Sequence, residues 1–145
     1  MSDGFTLSPL PTPLTSGGGV AMVANEGDNF PCRRCLRDAR PGEAVMLISY
    51  DPFLGDSPYR GAGPIFVHEA PCERFSAAEL PDQLRRRPLL AVRAYDDGHM
   101  MVDSDVVDGC DLEGTIERLF GETRASYMHV HYARPGCFAV RVDRR

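Results

Sequence analysis

The segment Pro31-Cys32-Arg33-Arg34-Cys35-Leu36 sets two thiols three residues apart. On a tight turn that spacing presents both sulfurs to one tetrahedral ion, as in zinc knuckles. A complete site needs two more ligands. His68 and Cys72, four apart after an apolar run, could point toward one site, and Cys137 and the pair His129/His131 are further candidates. A second Cys-x-x-Cys is missing, so the local pattern is only half of a zinc site. The same two thiols could form a redox couple in which Arg33 and Arg34 favour the thiolate. Thioredoxin-like motifs, however, open a helix after a strand, and here the chain turns at Pro41-Gly42. A third reading is packing alone, with two small hydrophobic residues in a loop and the arginines in water. Zinc and packing both stay open; the redox reading has the wrong context.

A Cys–His pair also suits nucleophilic catalysis. Cys72 or Cys32 would be the nucleophile, His68 its base, and Arg33 or Arg60 would orient an acidic substrate. His129-Val130-His131 is a second pattern, because residues two apart on a strand share a face. Those imidazoles could ligate a metal with His99, Asp103 or Asp105 as a third group. With no fixed third ligand, the expected role is an exposed polar face opposite Met128, Val130 and Tyr132. The glycines of Ser57–Pro64 would let backbone N–H groups approach an anion beside Arg60, without the order of any phosphate-loop motif. Asp103, Asp105, Asp108 and Asp111 fail the EF-hand pattern, since its sixth and twelfth positions fall on Asp108 and Gly114.

These groups sit on a chain of 145 residues with formal net charge −5, the size of one ordinary domain. All 16 basic residues are Arg, which excludes a Schiff-base lysine and a phosphate-loop lysine. The acidic balance argues against nucleic acid as a partner, and Arg85-Arg86-Arg87 reads as a solvated helix end. No apolar run reaches membrane-spanning length. The five cysteines are an odd number and the N-terminus has no secretory pattern, so a cytoplasmic protein with reduced thiols is expected.

The elements that position these groups follow from periodicity and turn chemistry. Residues 1–29 are rich in Pro, Gly, Ser and Thr, with Ser16-Gly17-Gly18-Gly19 flexible by composition and a short edge strand at Phe5-Thr6-Leu7. Residues 30–145 form a single globular domain. In it, Ala44–Tyr50 reads as a buried strand after Arg40-Pro41-Gly42, and Ile65–Val67 as a second. Ser76-Ala77-Ala78-Glu79 has capping-box spacing, and Pro81 either ends that turn or opens a helix through Gln83 and Leu84. Leu89–Tyr95 and His99–Val102 form a hairpin about Asp96-Asp97-Gly98, where Asp-Gly accepts positive φ. Asp111 caps a helix through Leu112, Ile116, Leu119 and Phe120 that Gly121 ends in the left-handed conformation. Tyr127–Tyr132 and Phe138–Val142 flank Arg134-Pro135-Gly136. The expected class is α+β: a largely antiparallel sheet of hairpins with two short helices on one face.

The words PCRRCL, PGEAVMLISYDPF, SPYRGAGPIFVHEAPC, LLAVRAYD and GCFAVRVDR, in that order, resemble the small bacterial family called domain of unknown function 1203. The resemblance implies a compact cytoplasmic domain and carries no activity. Cys32, Arg33, Cys35, Pro52, Phe53, Gly63, Pro64, His68, Cys72, Arg93, Tyr95, Gly136 and Cys137 stand on those words; Cys110, His129 and His131 do not. The expectation is a small-molecule-binding or structural module in which Cys32, Cys35, His68 and Cys72 form a structural cluster, with zinc as its candidate ion and packing alone as the open alternative. Arg33, Arg60, Gly63, Arg93 and Tyr95 are the candidates for a small anionic ligand. Exposed hairpin edges would allow a homodimer.

Overall fold

The computed structural model describes residues 4–10, 19–27 and 29–145. Ser16, Gly17 and Gly18 of the Gly-rich run lie outside the described residues. Eight strands are β1 (Phe5–Ser8), β2 (Val20–Val23), β3 (Ala44–Tyr50), β4 (Gly63–His68), β5 (Leu90–Tyr95), β6 (Met101–Val107), β7 (Tyr127–Tyr132) and β8 (Phe138–Arg144). Two helices, α1 (Asp82–Arg85) and α2 (Leu112–Leu119), interrupt them. The strands form a five-stranded sheet in the order β1-β8-β7-β5-β6 and a three-stranded sheet in the order β2-β3-β4. Every strand pair is antiparallel. The helices hold only 4 and 8 residues. The expected antiparallel sheets and two short helices are present, but with so little helix the molecule is mainly β with a small helical content rather than clearly α+β.

The main core lies between the helices and one face of the larger sheet. Leu84 from α1 and Leu112, Ile116 and Leu119 from α2 pack on Leu90, Val92, Met128, Val130, Val140 and Val142. These strand positions alternate because successive side chains leave a strand on opposite faces. The opposite face carries Arg93, Tyr95, Tyr127, His129, His131 and Phe138, and it meets the smaller sheet and the loop that follows β3. A second cluster, with Cys32, Cys35, Ile48, Ile65, Val67 and Phe138, fills that junction. β3 is central in the smaller sheet, yet only Val45 and Ile48 are fully buried, since that sheet covers one side alone.

Turn chemistry holds at some positions and fails at others. Gly42 (φ 91°) and Gly136 (φ 82°) take the positive φ that a Pro-Gly turn asks for. In the β5–β6 hairpin, positive φ falls on His99 (66°) and not on Gly98. There Asp96 Oδ1 accepts from the N–H groups of Gly98 and Met100, so a three-residue loop ends on a left-handed residue. Gly121 is not left-handed; a Cβ on it would stand 2.9 Å from the Arg118 carbonyl oxygen, and close approach is its reason for being glycine. No helix starts at Ser76. Leu80 precedes Pro81, which disfavours its helical conformation, so a turn begun at Ser76 has no room to propagate. Pro81 instead opens α1.

Candidate metal centre

The Cys32–Cys35 loop is built by its own backbone. Cys32 N–H donates to Arg37 O at 3.0 Å and Leu36 N–H to Cys32 O at 3.0 Å. Leu36 holds φ 56°, which folds the chain back behind Cys35. The loop then docks on β4: Cys32 bridges Phe66, and Arg33 N–H donates to Phe66 O at 3.1 Å. That docking sets the two thiols beside His68, the last residue of β4, and beside Cys72 four residues on.

Cys32, Cys35, His68 and Cys72 bring their ligand atoms within 4.8 Å of one another. Cys32 Sγ and Cys72 Sγ are 3.7 Å apart, and Cys35 Sγ and His68 Nδ1 are 3.5 Å apart. A tetrahedral zinc with bonds of about 2.3 Å to sulfur and about 2.0 Å to nitrogen has edges of about 3.8 and 3.5 Å. Both spacings match those edges. His68 Nε2 lies 3.1 Å from Glu43 Oε1, the carboxylate–histidine contact that fixes the ring of a metal-ligating imidazole.

The charge on the sulfurs is provided for. Arg34, 2% exposed, donates from Nη2 to Cys72 Sγ at 2.9 Å and from Nε to Cys72 O at 3.1 Å. His68 N–H donates to Cys32 Sγ at 3.4 Å. The Cys35 thiol, donating to Cys32, holds the Cys32 thiol far below the ordinary range; the N–H groups of Cys35, His68 and Arg34 act in the same sense and burial opposes them. The same bond, followed by burial, pushes Cys35 up. Burial raises Cys72, with the charge at Cys32 adding to it. The surroundings thus favour the thiolate at Cys32 over Cys35 and Cys72, and a bound dication would favour it at all three.

The arginines between the cysteines are not in water. Arg33, 1% exposed, donates to Phe138 O, Pro31 O and Cys137 Sγ at 2.8, 2.6 and 3.1 Å. It clamps the Cys loop to β8 and leaves Cys137 outside the cluster. The thiol that the His68 imidazole meets is that of Cys35, not Cys72 or Cys32; of His68, Cys32 Sγ meets only the backbone N–H. Among the described residues, the Cys32/Cys35/His68/Cys72 group is the one set of three or more close ligands. His129 and His131 therefore have no third ligand: His99 Nδ1 is taken by the Tyr127 hydroxyl, and Asp105 pairs with Arg118. Nor are they an exposed polar face. His129 is 0% exposed, ringed by Phe53, Tyr95, Tyr127 and Phe138, because the smaller sheet and the 51–62 loop cover that side.

The ligand candidates separate. Arg60 is paired with Asp51 and Asp56. Tyr95 is buried in the aromatic stack against Phe53 and Tyr127. Gly63 and Arg93 line a cleft of about 260 Å³ between the sheets, together with Tyr59, His131 and Phe138. In the Arg85-Arg86-Arg87 run, Arg85 and Arg86 pair with Asp82, and Arg87 pairs with Asp38. Glu43 and the buried role of Arg34 escape sequence reasoning, since only the β3–β4 register, with Val45 opposite His68, brings Glu43 to the imidazole. No helix among the described residues is long and apolar enough to cross a membrane.

Comparison with curated proteins and with solved structures finds no match. A family model does match, over residues 29–144, and that span holds the whole of the Cys3His cluster and the cleft beside it. The chain belongs to the family described as "Protein of unknown function (DUF1203)".

Proposed function

We propose that this protein is a structural-metal module in which Cys32, Cys35, His68 Nδ1 and Cys72 hold one Zn²⁺. The observation that carries the reading is the pair of ligand spacings, 3.7 and 3.5 Å, inside a four-residue set drawn from three separate segments. Four protein donors leave no open position for water or substrate, which is the mark of a structural rather than a catalytic zinc. Cys32 and Cys35 are buried, whereas a nucleophilic cysteine needs partial exposure. Three thiolates and the dication sum to −1, and Arg34 beside Cys72 balances it. Zinc would then lock the Cys loop, the end of β4 and the 69–72 segment together.

Metal analysis of the intact protein by native mass spectrometry tests this. The expected mass excess is one zinc per chain, lost in Cys35→Ser and retained in Cys110→Ser, whose thiol is exposed and remote from the cluster. Chelation should lower the melting temperature as it strips the ion, because metal-binding free energy is also folding free energy. A metal-free chain whose melting is indifferent to chelator and to added zinc would overturn the reading.

A further inference from the structure

The cleft between the sheets carries a charge arrangement that the metal centre does not use. Arg93 stands on β5 opposite His129 of β7, and His131 follows two residues along the same face. Among the described residues Arg93 has no carboxylate within ion-pair distance, and its side chain hydrogen-bonds the Tyr95 hydroxyl. His131 Nδ1 lies 3.0 Å from Gly136 O, so Nδ1 carries the proton and donates; Nε2 keeps its lone pair. That Nε2 is buried and without a hydrogen-bond partner among the described residues. Burial drives His131 down to about 4; the bond to the Gly136 carbonyl opposes it, and the charges of Arg93 and Arg33 act with burial. The cleft wall is therefore a neutral imidazole acceptor beside a guanidinium that no carboxylate among the described residues pairs.

Around these two groups the lining is aromatic: Tyr50, Phe53, Tyr59 and Phe138. At about 260 Å³ the space lies just below the range of drug-sized sites, about 300–1,000 Å³, so it selects a small molecule. We propose that this cleft binds a small aromatic carboxylate carrying a hydroxyl group, with Arg93 pairing the carboxylate and His131 Nε2 accepting from the hydroxyl. Arg is suited to the first task because its planar fork meets a carboxylate two-to-two. The second would satisfy a buried acceptor that otherwise lacks a donor. Gly61 and Gly63 line the cleft, and the space beside them is open, since a Cβ on either would meet nothing within 4 Å. The site stands independently of the zinc reading.

The test is a titration of ¹⁵N-labelled full-length protein with 4-hydroxybenzoate, benzoate and neutral 4-hydroxybenzyl alcohol. Saturable shifts should centre on the amides of Gly61, Gly63, Gly136 and Cys137, with 4-hydroxybenzoate bound more tightly than benzoate. Arg93→Gln should weaken both acids by about tenfold or more, the lower end for a hydrogen bond to a charged group. Arg93→Lys should recover part of that loss, and His131→Phe should abolish the preference for the hydroxyl while leaving benzoate. Equal binding of the neutral alcohol to the wild-type protein would overturn the proposal without any variant. So would the absence of saturable shifts at millimolar acid, or undiminished binding in a folded Arg93→Gln protein. None of these readouts depends on metal content, so failure here and failure of the zinc site are separable.

Discussion

His129 has both ring nitrogens buried and without hydrogen-bond partners among the described residues. Burial, aided by His131, Arg141 and Arg93, drives its pKa from 6.5 to about 3. A folded-state value below the unfolded one means that the unfolded chain takes up the proton first as pH falls. The stability that neutral His129 and His131 contribute is therefore complete above pH 6.5 and is lost on acidification toward pH 4 and 3. Each group adds up to about 1.4 kcal/mol per pH unit to that slope. His129→Phe should flatten the slope by about one proton's worth between pH 6 and 4, measured by urea unfolding at several pH values. An unchanged slope would refute the account of His129. At the metal centre, Glu43→Gln should weaken zinc binding about 10–100-fold in a competitive chelator titration, because the carboxylate orients His68. Unaltered affinity would remove Glu43 from the site.

Glycines separate what elements need from what they tolerate. A Cβ at Gly109 would stand 2.0 Å from the Leu84 carbonyl oxygen, where α1 passes the turn before α2. Backbone cannot retreat like a side chain, so Gly109→Ala should cost at least about 2 kcal/mol. Gly114, inside α2, would meet nothing within 4 Å, and Gly114→Ala should stabilise by about 0.5–1 kcal/mol. The midpoints of urea unfolding decide both. The same scale shows which elements can be read in advance. Ala44–Tyr50, the β5–β6 and β7–β8 hairpins and α2 are legible from their apolar period and the turn residues between them, although the left-handed residue of the β5–β6 turn is His99 and β6 runs on to Val107. β2 is not: all four of its residues are exposed, and it exists by pairing with β3, a long-range contact that leaves no local pattern. The Ser76 turn fails for the converse reason, a local signal overruled by Pro81.

Across the whole molecule, two arginines between two cysteines hold the layers together. Arg33 ties the Cys loop to β8 of the larger sheet, while Arg34 ties it to the segment carrying Cys72. The four candidate ligands are legible as types, since Cys-x-x-Cys, His68 and Cys72 are all donors at useful spacing. Their convergence is not, because it depends on the Cys loop docking beside Phe66, a contact 34 residues away in sequence. The burial of His129 and His131 was hidden for a similar reason: an alternating strand reveals that two residues share a face but not which layer covers it. Arg33→Met should keep the packing volume but leave Phe138 O and Pro31 O unpaired, lowering the melting temperature even when zinc is bound. An unchanged melting temperature would show that the clamp contributes nothing.

The most direct measurement of the central claim is zinc K-edge X-ray absorption on the purified full-length protein. The expected result is a four-coordinate shell of three sulfurs at about 2.3 Å and one imidazole nitrogen at about 2.0 Å. A shell containing bound water oxygen, a shell dominated by nitrogen, or protein without zinc would contradict it.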